Sequence, residues 1–498
     1  MSEAYHQLEQ RFARMSAVSG AIAVLGWDHA TMMPAGGAGA RANQLSTLAV
    51  LRHEIMIAPE MSDLLDEAQA DAAGLGDWQS ANLNEMRHSW THASAVPADL
   101  VEQLSMASST CEMAWREARA NNDFAMLAPL LQELIGLVKQ SGEVRGEALG
   151  LSTYDALIDQ FDPGGRQSQI DPLFAELQGF LPQMLQEITA RQSAAEPALT
   201  PVGPFPVTEQ EKLAHQVMSL LGFDFNHGRL DTSHHPFSGG VPEDSRITTR
   251  YDEADFTSGL MGVIHETGHS QYERGLPADW LHQPVGQSRG MTMHESQSLL
   301  FEMQAARSPE FVNFVASLIK RTFANAGAAC EPDNLLRIYH HVSPGLIRVD
   351  ADEVTYPLHI ILRYRLEQDL IGGALKVTDL PDAWRAGMKD LLGIEPDNDA
   401  DGCMQDIHWP SGAFGYFPSY TLGALAAAQI FAAAKSDDAA ILPGIAKGDF
   451  APLNGWLRQN IHRAASRFST AHIIERATGK SLSVDAFKAH LEARYLSG

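Results

Sequence analysis

Apolar residues recur at intervals of three and four along almost the whole of this chain, set among many alanines, leucines, glutamines and glutamates. That interval is the repeat of a helix face, so the fold is predicted to be mainly α. One stretch breaks the pattern. Asp231 to Asp252, DTSHHPFSGGVPEDSRITTRYD, is rich in Pro, Gly and Ser and then alternates Ile247, Thr249 and Tyr251 with polar neighbours. Alternation of this kind predicts a strand, and hence a small antiparallel β-sheet inside a helical body. The edge of such a sheet is a place where an extended peptide could pair.

The Pro-rich run EPALTPVGPFP, Glu196 to Pro206, separates an N-terminal helical part (1–200) from a second part (207–498), and the two are read as one unit over 1–498. Thr208 and Glu211 fit a capping box for the next helix, with Gly222 at its end. LGALAAAQIFAAA, Leu422 to Ala434, is too short to cross a bilayer and predicts a buried helix. The opening MSEAYHQLEQRFARM has no apolar signal core, which predicts a cytoplasmic protein. With 36 basic against 62 acidic residues the net charge is −26, which disfavours nucleic acid and anionic membrane as partners. Cys111, Cys330 and Cys403 are dispersed and odd in number, so neither a disulfide framework nor a cysteine metal site is expected.

The chemistry concentrates in GVIHETGHSQYERGLP, Gly262 to Pro277. On a helix, His265 and His269 lie one turn apart and can reach one ion, while Glu266 points toward a reacting water. Thr257 or Ser258 would cap this helix, and Gly275 with Pro277 would end it. A third ligand is needed. The metzincin pattern fails, because Tyr272 and Gly275 stand where Gly and His are required. A second helix, roughly Thr292 to Arg307, supplies Glu295, with Glu302 two turns on as its competitor. Ser308 and Pro309 read as the cap and first position of another helix.

Together with DSRITT (244–249), HESQS (294–298), IRVDADE (347–353) and GCMQDIHW (402–409), the HETGH segment resembles the carboxypeptidase Taq family of metallocarboxypeptidases. GWDHATMMP (26–34) and YDALIDQFDPG (154–164) resemble family segments nearer the N-terminus. The resemblance implies a helical two-lobed body similar to angiotensin-converting enzyme, with the metal deep in a cleft that the N-terminal helices partly roof. It also implies a homodimer, one Zn2+ per subunit with Co2+ as a substitute, and release of single residues from the free C-terminus of peptides with broad specificity. HPF (235–237) matches a family motif too, although His234 precedes it.

A carboxypeptidase must grip a terminal carboxylate, and a guanidinium fork matches that group. Arg348 is the first choice and Arg246 the second, against a reading in which each only pairs with the acids beside it. By analogy with the converting-enzyme site, His408 and Tyr420 would donate to the oxyanion, with Tyr416 in reserve. Gln405 and Asp406 would orient His408 or the metal ligands. His235 would hydrogen-bond the peptide backbone. The mechanism expected is metal-assisted attack of water with Glu266 as general base. Competing readings are a helical zinc oligopeptidase or dipeptidyl carboxypeptidase and, of another class, a non-catalytic peptide-binding scaffold with a structural metal.

Overall fold

The structure is a computed structural model and describes residues 2–497. Before the Pro-rich connector the chain folds as α1 (Glu3–Thr31), α2 (Ala38–Met56), α3 (Glu60–Ala70), α4 (Asp77–Ser94), α5 (Ala98–Asn121), α6 (Phe124–Leu149), α7 (Thr153–Asp159) and α8 (Gln167–Ala194). After it come α9 (Val207–Leu220), strands β1 (Gly228–Thr232), β2 (Phe237–Val241) and β3 (Asp244–Thr249), then α10 (Phe256–Gly275) and α11 (Gly290–Leu299). The sequence continues through α12 (Pro309–Thr322), α13 (Pro332–Tyr339), α14 (Tyr356–Gly372), α15 (Leu380–Leu392) and α16 (Pro418–Asp437), and short helices follow.

The apolar stripes of these helices meet in distinct cores. Leu131, Phe174, Leu358 and Trp384 gather α6, α8, α14 and α15 into one. Ile264, Leu300 and Phe311 centre a second, around α10 and α12. The alanine-rich α16 enters both, giving Leu422 and Leu425 to the first and Ala426 and Ile430 to the second. A helix buried on opposite sides must be apolar nearly all round, which is why its sequence looked almost membrane-like. No helix among the described residues is long and apolar enough to cross a membrane. Helices α1, α3 and α4 keep a smaller core of their own, built on Tyr5, Leu8, Leu65 and Met86.

The irregular stretch does form a sheet, but it is mixed rather than antiparallel. Its order is β1-β3-β2. Pro242 and Glu243 turn β2 back onto β3 as an antiparallel pair, whereas β1 runs parallel to β3 on the other side. The loop Ser233–Pro236 carries the chain across β3, so β1 and β3 point the same way. Tyr251 lies beyond the end of β3. Ile247 packs inward on Val263 of α10 and Met218 of α9, and the Ser245 and Ser270 hydroxyls meet at 2.7 Å. These contacts set the sheet directly against the HETGH helix.

Two expected caps are corrected. Pro206, not a Thr208–Glu211 box, precedes α9, and its side chain makes no cap bond. Its ring fixes an extended entry and starts the helix at Val207, which puts Thr208 inside the first turn. Asp255 rather than Thr257 or Ser258 caps α10, its carboxylate accepting from the Thr257 N–H at 2.8 Å. A carboxylate at this position also favours the positive end of the helix. Ser308 caps α12 with Pro309 as first residue, as predicted.

Candidate metal centre

α10 and α11 approach closely because position 268 carries no side chain. A Cβ on Gly268 would lie 2.7 Å from both the Gln297 carbonyl oxygen and the Ser298 Cα. On the far side of α11, a Cβ on Gly423 of α16 would lie 2.9 Å from the Glu295 Cβ. Two glycines thus let three helices converge on one point.

At that point the two histidines of α10 turn their Nε2 atoms toward Glu295. Its Oε2 lies 3.9 Å from His265 Nε2 and 3.6 Å from His269 Nε2. The other ring nitrogens are occupied. His265 Nδ1 donates to Glu302 Oε2 at 2.9 Å, and His269 Nδ1 donates to the His294 carbonyl at 3.1 Å. Such bonds fix Nδ1 as a protonated nitrogen and aim each Nε2 inward, where an ion would take the place of any proton it carries. Glu295 accepts weakly from Ser298 Oγ at 3.4 Å, while Glu302 is clamped by Arg307 at 2.6 Å. After α11 the chain widens into a π-helix, Leu300–Ala306, from which Glu302 reaches the back of His265. π-segments of this kind often accompany functional sites.

The donor set fits a divalent transition ion. Tetrahedral ligation at 2.0–2.1 Å spaces ligand atoms about 3.3 Å apart. His265, His269 and Glu295 each present one ligand atom, all within 4.8 Å of one another. Without an ion the cluster is electrostatically loaded. Burial alone would lower His265, but its bond to Glu302 and the charges of Glu295 and Glu266 carry it up to about 10. Burial and the neighbouring histidines drive His269 well below its ordinary value. Burial pushes the Glu266 carboxyl up to about 7, a suitable range for moving a proton near neutrality.

His294 was not singled out by sequence. Its ring stacks on His269 with centroids 4.4 Å apart, and its Nε2 meets Glu273 Oε1 at 3.0 Å. His294 and Glu273 also line a cavity of about 1150 Å3. The other walls come from α1, α2, α4, the β2–β3 hairpin and the segment between α10 and α11, so helices before the connector face the metal helices across it.

A second polar group lies beside the first on α14, α16 and the loop before α16. His408 Nε2 and the Tyr420 hydroxyl meet at 3.2 Å. Burial lowers His408 to about 4, so the ring is neutral. Arg348 donates from Nε and Nη2 to Asp406 Oδ1 at 3.0 and 2.7 Å, and from Nη1 to the Tyr356 hydroxyl at 2.7 Å. Arg363 holds the other oxygen of Asp406. Burial would raise the Asp406 carboxyl, but these two guanidiniums hold it well below the usual range. Gln405 accepts from the Arg348 backbone N–H at 2.9 Å. Tyr416 packs edge-on to Tyr420, ring centroids 5.2 Å apart. Burial raises Tyr356, Tyr416 and Tyr420, and the Glu295 charge adds a smaller rise to each, so all three phenols lie within its field. Tyr356 and Arg363 carried no sequence signal, since only their partners across the fold reveal them.

Two predicted residues lie apart from these groups. Arg246 donates two hydrogen bonds to Asp244, at 2.7 and 2.6 Å, and covers the Trp27 ring at 4.3 Å. Arg229, paired with Asp231, covers the same ring at 4.9 Å. Together they hold α1 to the sheet. His234 and His235 are exposed between β1 and β2, edge to face with centroids 4.6 Å apart.

A family model described as carboxypeptidase Taq (M32) metallopeptidase matches residues 7–495. Thermostable carboxypeptidase 1 of Thermus thermophilus is 38% identical, and the alignment covers 99% of this chain and 98% of that one. The structure of Trypanosoma cruzi metallocarboxypeptidase 1 superposes with a TM-score of 0.98 at 39% identity, covering 99% of this chain and 100% of that one. An M32 carboxypeptidase from Deinococcus radiodurans R1 superposes with a TM-score of 0.94 at 35% identity, covering 99% of each chain.

Proposed function

The chain belongs to the carboxypeptidase Taq (M32) metallopeptidase family and is a metallocarboxypeptidase, and we propose that it releases single amino acids from the free C-terminus of peptides with broad specificity. The observation that carries the reading is the convergence of His265 Nε2 and His269 Nε2 on Glu295 at 3.9 and 3.6 Å, with both Nδ1 atoms engaged behind them. In this reading the three residues hold one Zn2+, for which Co2+ substitutes, and Glu302 orients His265 from behind. The ion, when bound, supplies Lewis-acid activation of water and of the scissile carbonyl.

The protein groups do the rest. Glu266 takes the proton of the attacking water and later returns it to the leaving amine. His408 and Tyr420 donate to the oxygen that gains charge, and Tyr416 packs behind Tyr420. Arg348 receives the terminal carboxylate. A guanidinium has five N–H donors. Three are committed to Asp406 and Tyr356, which leaves the others for a ligand. Asp406 and Gln405 fix the direction of that fork. His235 and Arg246 act, in this reading, at the mouth beside the sheet, where an extended peptide can run along β2. Residues 1–200 partly cover the cleft and 207–498 carry the metal site. We further assign the working form to a cytoplasmic homodimer.

A mass-spectrometric time course on an unblocked peptide and its C-terminally amidated twin tests the reading. Single-residue losses from the free acid alone, abolished by chelator and restored by Zn2+ or Co2+, are expected. Internal cuts, removal of dipeptides, or equal attack on both peptides would replace it with an oligopeptidase or dipeptidyl carboxypeptidase. No cleavage by metal-loaded protein would leave a binding scaffold.

A further inference from the structure

A second His-x-x-x-His pair lies on α4, at His88 and His92, and faces an acid from another helix. Both Nε2 atoms converge on one oxygen, Asp159 Oδ2, at 2.6 and 2.9 Å. The other oxygen, Oδ1, accepts from the Gly164 N–H at 2.9 Å and from Arg166 Nη1 at 2.6 Å. The carboxylate is therefore oriented from behind, as ligating carboxylates usually are. Burial would raise it, but these four donors hold it ionised well below the usual range. The three ligand atoms lie within one ion's reach of each other, and the His88 side chain keeps 27% of its surface open to solvent. The cluster is thus open to solvent on the His88 side.

We propose that His88, His92 and Asp159 form a second metal site, for a divalent transition ion such as Zn2+, Co2+ or Ni2+. Two imidazoles and one carboxylate select such ions over Ca2+ or Mg2+, which take oxygen ligands. The site is weaker than the first for two visible reasons. Its ligand atoms stand at hydrogen-bond distance and must part to about 3.3 Å around an ion. The Arg166 guanidinium shares the carboxylate, and Arg145, which donates to the His92 carbonyl at 3.3 Å, adds a second positive charge nearby. The ion would replace two N–H···O bonds, with each imidazole proton moving from Nε2 to Nδ1.

Filling the site would tie α4 to the loop after α7. That loop reaches the start of α11, where the Met291 N–H donates to the Phe161 carbonyl at 2.7 Å and Thr292 Oγ1 donates to Asp162 at 2.8 Å. The second ion would therefore act as a clamp between the helices around the cavity and the helix that carries Glu295. His88 is followed by Ser89 where His265 is followed by Glu266, so the clamp lacks a neighbouring general base.

The test is metal stoichiometry on the whole enzyme. Protein carrying its first equivalent is dialysed against Zn2+ from about 1 to 300 µM and bound metal is counted by plasma mass spectrometry. A second equivalent is expected, binding at least about tenfold more weakly than the first. H88N/H92N should lose the second equivalent and keep the first, whereas H265A should do the reverse. If the double variant folds poorly, H88N alone, at the more exposed position, should weaken the second equivalent by about tenfold or more. Absence of a second equivalent over that range, or its persistence in the histidine variants, would overturn the proposal and leave the cluster as a hydrogen-bonded knot.

Discussion

The molecule contains the same local device twice, and the two copies differ in how they are held apart. At His265 and His269 the carboxylate stands 3.6–3.9 Å from the ring nitrogens. At His88 and His92 it stands 2.6–2.9 Å away. The first cluster is surrounded by acids, with Glu302 behind one histidine and Glu266 alongside. The second has guanidiniums instead. Spacing on a helix therefore creates only the opportunity for a metal. The backing residues decide whether the nitrogens face an open, electron-rich gap or close on their own acid.

The largest effect that would separate the copies belongs to Glu266. E266Q should keep its tight metal equivalent and lose about 10³-fold or more in kcat. A near-normal rate would remove the general base and make the clusters chemically alike. Next is the third ligand. E295A should abolish tight binding of the first equivalent, whereas E302Q should weaken it only 10–100-fold, roughly what an outer partner contributes. The reverse ranking, read by equilibrium dialysis, would exchange their roles. On the substrate side, R348A should raise KM for free-acid peptides by about 10²-fold and erase the preference for the free acid over its amidated twin. An unchanged KM and an unchanged preference would reduce Arg348 to a partner of Asp406.

The smallest effect concerns stability at the second copy. D159N removes a buried charge that accepts four hydrogen bonds, and should cost roughly 2–4 kcal/mol in denaturant unfolding with the first metal equivalent untouched. Because the folded Asp159 is held below its unfolded value, its contribution is fully present above about pH 4 and is lost as pH falls further. The wild-type and D159N unfolding curves should accordingly converge in acid. A constant gap down to pH 2 would contradict the role assigned to this charge.

What could be read from the sequence was whatever lies within one or two helical turns. HETGH, its helix and the carboxylate helix behind it follow from spacing, and so does the buried character of the Leu422–Ala434 run. The strand in the irregular stretch was legible, but not the parallel partner of β3, because nothing in β1 encodes its direction relative to a strand a dozen residues on. The Thr208 cap failed for a local reason, since Pro206 had already fixed the helix start. The Arg348–Asp406–Arg363 network was half visible. Arg348 and Asp406 sit in recognisable motifs, while Arg363 and Tyr356 are ordinary helix residues until α14 is packed. His88 and His92 drew no reading from the sequence, because their acid lies 67 residues from His92 in the chain, beyond any local pattern.

The most direct test of the catalytic account is an anomalous difference map of zinc-loaded crystals. The account predicts a strong peak about 2.0–2.2 Å from His265 Nε2, His269 Nε2 and a Glu295 oxygen, with Glu302 still bonded to His265 Nδ1. A peak ligated by Glu302 in place of Glu295, or no peak between the two histidines, would contradict it.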